Sequence, residues 1–158
     1  MIKNVLQYLE ASAEKYPDKI ALKDENEQLT YSEYVHNAKA IATYLANNEA
    51  KDTRNKPIAV IIDRNIRSIV AFIGIVYSGN FYVPIDNTMP AERVELIYST
   101  LNPIAVIDAR TNTSKPVEGA ISMDEILSTA IDEELIAGIR KGAEIGRASC
   151  RERVFSWV

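Results

Sequence analysis

Three short apolar runs, each bounded by polar residues, constrain the fold of this chain most. Pro57-Ile58-Ala59-Val60-Ile61-Ile62 is continuous and rich in β-branched residues. That is the pattern of a parallel strand buried on both faces rather than of a half-exposed one. Phe81 to Ile85 and Ile104 to Asp108 are similar short runs. The segments between them are long enough for helices and carry apolar residues at helical spacing. Strands alternating with helices imply right-handed crossovers and a parallel sheet covered by helices. The expected fold class is therefore α/β, a partial parallel sheet with helices on both faces.

The flanking segments add detail. Ile2, Val5, Leu6, Leu9, Ala13 and Tyr16 form a helical stripe that Pro17-Asp18 ends. Ile20 to Lys23 and Gln28 to Tyr31 flank a polar Asp-Glu-Asn-Glu turn and predict a hairpin. Thr30-Tyr31-Ser32-Glu33 is a capping box, and the helix it opens is expected to bury Tyr34, Val35, Ala38, Ile41, Ala42 and Leu45. Asp63 and Asn65 are candidate caps for a helix from Ile66 to Ser78 that is apolar nearly all round. Gly74 in its middle costs about 1 kcal/mol against alanine, so a close helix-to-sheet contact is expected there. Gly79 stands where a left-handed helix cap is wanted. Pro84 has no amide donor and belongs at a sheet edge or a strand end. Pro90 starts a helix to about Leu101 with Val94, Ile97 and Leu101 on one face. Ser122 to Glu125 has the form of a second capping box.

The C-terminal segment stands apart. Glu144 to Val154 matches, codon for codon, the in-frame translation of a common DNA-sequencing adapter. Residues 144–158 are therefore read as a non-native tail, although Phe155 to Val158 do not follow from the adapter. Residues 1–143 are read as the native part. Without the tail, Lys plus Arg falls from 18 to 15 and Asp plus Glu from 22 to 20, a net charge of −5. A mildly acidic chain with no basic block gives no reason to propose nucleic acid or an anionic membrane as partner. Cys150 and Trp157, the only residues of their types, lie in the tail. The native part then has no disulfide and no Cys-bound metal, which fits a reducing, cytoplasmic setting. No apolar run approaches the ~18 residues of a membrane span, and Asn112-Thr113-Ser114 carries little weight as a glycosylation sequon without a secretion signal.

No local motif carries catalysis. The chain lacks a phosphate loop, a dinucleotide fingerprint, a zinc-protease helix and a nucleophile elbow. Its glycines before the tail are isolated and cannot build a cradle of successive amides. His36, the only histidine, has no partner in sequence and makes no site. Asp63, Asp86 and Asp108 each end a predicted strand, on the side where open α/β sheets bind ligands. Helix capping and loop hydrogen bonding are the competing, and favoured, roles for all three. No catalytic, cofactor-binding or metal-binding residue is assigned.

Three stretches carry a family resemblance. Tyr77-Ser78-Gly79-Asn80-Phe81-Tyr82-Val83-Pro84-Ile85-Asp86 resembles the second core motif of the amino-acid adenylation domains of nonribosomal peptide synthetases and D-alanine–carrier protein ligases. Leu29-Thr30-Tyr31-Ser32-Glu33 resembles their first core motif, with Tyr34 where leucine is usual. Pro90 to Val94, including Arg93, is similar to the helix that follows the second motif. Ser78 stands where alanine is usual. The positions that match are Leu29, Thr30, Tyr31, Glu33, Gly79, Tyr82, Val83, Pro84, Asp86, Pro90 and Arg93, and the resemblance implies architectural roles for them. It also implies that the chain is the N-terminal part of an AMP-binding adenylation domain, building the first α/β subdomain of the adenylate-forming fold. The parent would use ATP and Mg²⁺ to activate an amino-acid carboxylate and pass the acyl group to the phosphopantetheine thiol of a carrier protein. The family's Ser/Thr/Gly-rich loop and catalytic lysine match nothing here. The fragment itself is expected to hold no cofactor, to be inactive and to self-associate. Two other readings stand beside this one: a free-standing, non-catalytic α/β domain for a small ligand, which a genuine stop codon near Gly142 would support, and a flavodoxin-like nucleotide binder. The second is disfavoured by the absence of a Gly-rich or Ser/Thr-rich turn after Ile62.

Overall fold

In the computed structural model, which describes residues 4–111 and 115–145, the chain begins with helix α1 (Val5–Lys15) and a hairpin of β1 (Ile20–Lys23) and β2 (Gln28–Thr30). Helix α2 (Tyr31–Asn47) leads to β3 (Pro57–Ile62), α3 (Ile66–Tyr77), β4 (Phe81–Asp86), α4 (Ala91–Leu101) and β5 (Ala105–Asp108). The short β6 (Ile121–Ser122) and α5 (Met123–Leu127) precede the last helix, α6 (Glu133–Ile145). The 144–158 tail otherwise lies outside the described residues, as do Ile2 and the sequon at 112–114.

Strands β3 to β6 form one parallel sheet in the order β4-β3-β5-β6. Its central strand is the most apolar run, as burial on both faces requires. Ile58 and Val60 point toward α2 and α3 and pack with Ile41, Leu45, Val70 and Ile75. Ala59, Ile61 and Ile85 face the other way and are also buried. The chain runs outward from β3 through α3 to β4, then back past β3 through α4 to β5. Right-handed crossovers in opposite directions put α3 and α4 on opposite faces. The fold class read from the sequence is the one observed.

Several local expectations change. Val5 and Tyr16 are 53% and 47% exposed rather than core, because α1 reaches the core chiefly through Leu6. Val35 is only half-buried, and Ala40, Thr43 and Ala46 extend the buried face of α2. Pro90 takes the N-cap position itself, with an extended ψ of 140°, instead of the first helical turn. Ser122 caps α5 by accepting from Asp124 N–H at 3.3 Å, but no capping box closes: the Glu125 carboxylate accepts from the Tyr44 hydroxyl at 3.1 Å instead. Asp63 does not cap α3; its carboxylate accepts from Arg64 N–H, and Asn65 holds the N-cap position. Gly74 meets a helix rather than the sheet. A Cβ placed there would lie 2.5 Å from Ile41 Cβ and 3.0 Å from the Ala38 carbonyl oxygen.

Gly79 does adopt the left-handed conformation, with φ 80°. Asn80 follows it into the core, 4% exposed. Its side-chain oxygen accepts from Lys56 N–H at 3.0 Å while its amide donates to the Ser78 carbonyl at 3.3 Å. This side chain fastens the loop before β3 to the α3–β4 corner, a task for which a buried amide with both donor and acceptor is suited.

Candidate functional site

In a sheet of this winding, ligands bind where the strand order reverses, at the carboxyl ends of the two strands whose connections part. Here those strands are β3 and β5, and the loops are Asp63-Arg64-Asn65 and Asp108-Ala109-Arg110. The crevice is stitched shut. Asn65 Oδ1 accepts from Ser68 N–H at 2.9 Å, and Asn65 Nδ2 donates to the Ala109 carbonyl at 2.8 Å.

A second group reaches the same helix end. Asp24, from the turn between β1 and β2, accepts from Ile66 N–H through Oδ2 at 2.9 Å. Its Oδ1 accepts from the amides of Asn26 and Glu27, each at 2.8 Å. A helix N-terminus attracts an anion through its unpaired amides and dipole. At α3 the protein supplies that anion itself. The amide of Ile66 is the largest of the influences that hold the Asp24 carboxyl below the usual carboxylate range, followed by those of Glu27 and Asn26, with the Arg67 charge adding to them. Arg67 in turn bridges Glu27 at 2.9 Å and Asp124 at 3.0 Å, tying the hairpin to α5.

The sign of the pH dependence follows. A carboxyl whose folded pKa is depressed adds stability above its unfolded value and loses it as pH falls through the folded one. Unfolding midpoints in urea should therefore decline from about pH 4 downward, and Asp24→Asn should flatten that decline. Equal acid slopes for the two proteins would show that Asp24 holds nothing.

An open cavity of about 180 Å³ lies beside this point, lined by Arg67, Asp108, Arg110, Ser122, Met123 and Asp124 among others. Its charges satisfy one another. Arg110 holds Asp108 in a two-pronged pair, 2.9 Å from Nε to Oδ1 and 2.7 Å from Nη2 to Oδ2. Burial would raise the Asp108 carboxyl, but the hydrogen bonds and charge of Arg110 outweigh it and the net shift is downward. Drug-sized ligands fill pockets of ~300–1,000 Å³, and this one is smaller. The three strand-end carboxylates do not converge: Asp63 bonds Arg64, Asp86 accepts from Thr88 N–H and Oγ1 at 2.8 and 2.7 Å, and only Asp108 lines the cavity. His36 is exposed. Among the described residues no group of three His, Cys, Asp or Glu could hold a metal ion. These residues do not fit Mg²⁺-ATP: the anion position at α3 is filled, Arg67 and Arg110 are paired and the carboxylates are scattered.

The motif positions fall in three separate places. Around the hairpin and α2, Thr30 N–H donates to Glu33 Oε2 at 2.8 Å and Glu33 N–H to Thr30 Oγ1 at 3.2 Å, the predicted capping box. Tyr31 N–H donates to the Lys19 carbonyl and Leu29 packs against the core. At the α3–β4 corner, a Cβ on Gly79 would meet Arg54 Cδ at 2.7 Å, and the Tyr82 ring stacks on Phe72 with centroids 4.2 Å apart. Val83, Pro84 and Asp86 belong to β4, while Pro90 and the exposed Arg93 open α4. None of the motif positions lines the cavity beside Arg67. Nothing in the sequence marks Asp24 as a partner of α3: one carboxylate in a turn of four polar residues is indistinguishable from its neighbours.

The AMP-binding enzyme family profile matches residues 9–145. A D-alanine--D-alanyl carrier protein ligase of Listeria welshimeri is 32% identical over 140 residues, which are 85% of this chain and 27% of the ligase. Nonribosomal peptide synthetase agiA of Aspergillus flavus is 30% identical over 131 residues, 82% of this chain and 2% of the synthetase. The chain thus spans about a quarter of the first relative and a small part of the second. Among solved structures, the N-terminal subdomain of Klebsiella oxytoca NpsA in complex with 3-hydroxyanthranilyl-AMSN overlays with a TM-score of 0.69 at 20% identity, covering 84% of this chain and 34% of that one. At that identity the overlay establishes the shared fold. With the sheet order, the three motif places and the match across residues 9–145 in agreement, this chain belongs to the AMP-binding enzyme family.

Proposed function

We propose that this chain is the opening α/β subdomain of an amino-acid adenylating ligase and is inactive alone. The parent activates an amino-acid carboxylate as its adenylate, using ATP and Mg²⁺, and hands the acyl group to the phosphopantetheine thiol of a carrier protein. The observation that carries this reading is the family match over residues 9–145 in a chain spanning 27% of a matched ligase. The self-satisfied strand ends support the inactivity of the part. Placing a weak carboxylate nucleophile against the α-phosphate requires positioned donors for the developing charge, and Ile66 N–H, Arg67 and Arg110 are already engaged.

The exposed apolar residues fit a part removed from its whole. Helix α4 has no buried residue, and Leu96 on it is 65% exposed; Ile69 on α3 is 42% exposed. Surfaces of this kind drive association. No helix among the described residues is long and apolar enough to cross a membrane.

Reading the source DNA past codon 143, with adapter sequence removed, tests the proposal. The expected frame continues into a Ser/Thr/Gly-rich loop ending in Pro-Lys-Gly, and the purified chain alone shows no amino-acid-dependent ATP–pyrophosphate exchange. A native stop codon near Gly142, or measurable exchange by the chain itself, would overturn it.

A further inference from the structure

We infer that Pro84 closes the outer edge of β4 against strand pairing with a second copy of this chain. Strand β4 ends the sheet, paired on one side with β3 and on the other with no strand among the described residues. In a parallel pair, a residue that faces its neighbour sends both its N–H and its C=O there, and the next residue sends both the opposite way. Phe81 N–H donates to the Lys56 carbonyl at 3.1 Å, in a register that sets Phe81 beside Pro57. Phe81, Val83 and Ile85 therefore face β3, and Tyr82, Pro84 and Asp86 face outward. The far side of β3 agrees: Ile104 and Ala109 donate to the carbonyls of Pro57 and Ile61, so the odd-numbered residues of β3 are turned toward β5.

Proline at an outward position costs the internal ladder nothing, because the missing N–H would have pointed away from β3. Its effect falls on any incoming strand. Two β4 edges meeting antiparallel about a two-fold axis through Pro84 would place Pro84 opposite its counterpart. That is a position where two residues exchange both N–H···O bonds, and both bonds are lost. Asp86 guards the end of the same edge with an exposed carboxylate bent onto Thr88. Charge and proline are established ways of blunting an open strand edge. Association of this chain then proceeds through its apolar helix faces and not through β4.

The test is residue-resolved amide exchange across a concentration series, with sedimentation on the same samples. In the unmodified chain, the amides of Val83 and Ile85 should be protected. Those of Tyr82 and Asp86 should exchange at rates that do not change with concentration. Pro84→Val restores the outward donor and should tighten self-association by about tenfold or more, as two regained bonds per dimer imply. Its Tyr82 and Asp86 amides should become protected as the dimer fills. Concentration-dependent protection of Tyr82 and Asp86 in the unmodified chain would overturn the inference. So would a natively folded Pro84→Val protein that sediments as its parent does. Should that variant fail to fold, exchange in the unmodified chain still decides.

Discussion

Gly74→Ala should destabilise this chain by roughly 3 kcal/mol, the upper part of the range for overpacking a core. Alanine is the better helix former by about 1 kcal/mol, so propensity alone predicts the opposite sign. Packing wins because the added Cβ has no room. It would lie 2.5 Å from Ile41 Cβ, 2.6 Å from Ile41 Cγ2 and 3.0 Å from the Ala38 carbonyl oxygen. Neither a Cβ nor a backbone oxygen is the free end of a flexible side chain, so relief requires α2 and α3 to part. Their separation would unseat Ile41, Val70 and Ile75 from the same core. Truncation of the neighbour should not rescue the variant, since Ile41→Ala keeps the Cβ that clashes. Gly138→Ala provides the contrast: nothing lies within 4 Å of a Cβ there, and that substitution in α6 should stabilise by about 0.5–1 kcal/mol. Urea midpoints at unchanged m-value measure both. A Gly74→Ala protein as stable as its parent would mean that the helices are not in the contact described.

Tyr77→Ala is the second large effect, an expected loss of about 3–5 kcal/mol, as for other large aromatic truncations. Tyr77 is 1% exposed and packs with Leu6, Ala38, Ala42 and Ile136. Its hydroxyl donates to Glu10 Oε1 at 2.9 Å, and Arg140 Nη1 donates to the same oxygen at 2.6 Å. Tyr77→Phe keeps the ring and leaves Glu10 with Arg140, so it should cost only about 1 kcal/mol. The gap between the two variants separates burial from hydrogen bonding at one position. The node also sets an alkaline limit. Burial first, and then the bond and charge of Glu10, push the Tyr77 hydroxyl well above the usual tyrosine value. Burial pushes Tyr34 up to about 12. A raised folded pKa gives stability that is complete below the unfolded value and fades above it, so unfolding should become easier from about pH 10 upward. Tyr77→Phe should remove part of that loss and leave the part due to Tyr34. Equal costs for the two variants would sink this account.

What the sequence disclosed was whatever local pattern decides. The run Pro57 to Ile62 announced a central strand because only β-branched residues buried on both sides look so uniform. Thr30 and Glu33 announced a helix start because both partners lie within one turn. The sequence was silent where a partner lies far along the chain. Glu125 has the spacing of a capping box and yet bonds Tyr44, 81 residues away. Gly74 signalled a close approach without saying to what, because helix and sheet neighbours impose the same demand for a missing Cβ. Helix α6 and strand β6 leave no legible mark in the sequence. The first buries Ile136 and Ile139, within one short uncharged stretch from Leu135 to Ile139, and the second is two residues long. At the strand ends, three aspartates looked equivalent, and only the folded loops show that each is already engaged by its own neighbours.

The bond between Glu10 and Arg140 spans 130 positions and that between Glu10 and Tyr77 spans 67. Chains emerge from the ribosome N-terminus first, at ~5–20 residues per second. Helix α1 therefore leaves the ribosome seconds before either of its polar partners exists. Until Tyr77 appears, Glu10 has only water, and Leu6 has no wall of α3 and α6 to enter. Helix α1 can lay Leu6 against Ala38 and Ala42 of α2 early, but its polar bonds to α3 and α6 close only when Tyr77 and Arg140 arrive. Completion of the unit is registered at its own beginning.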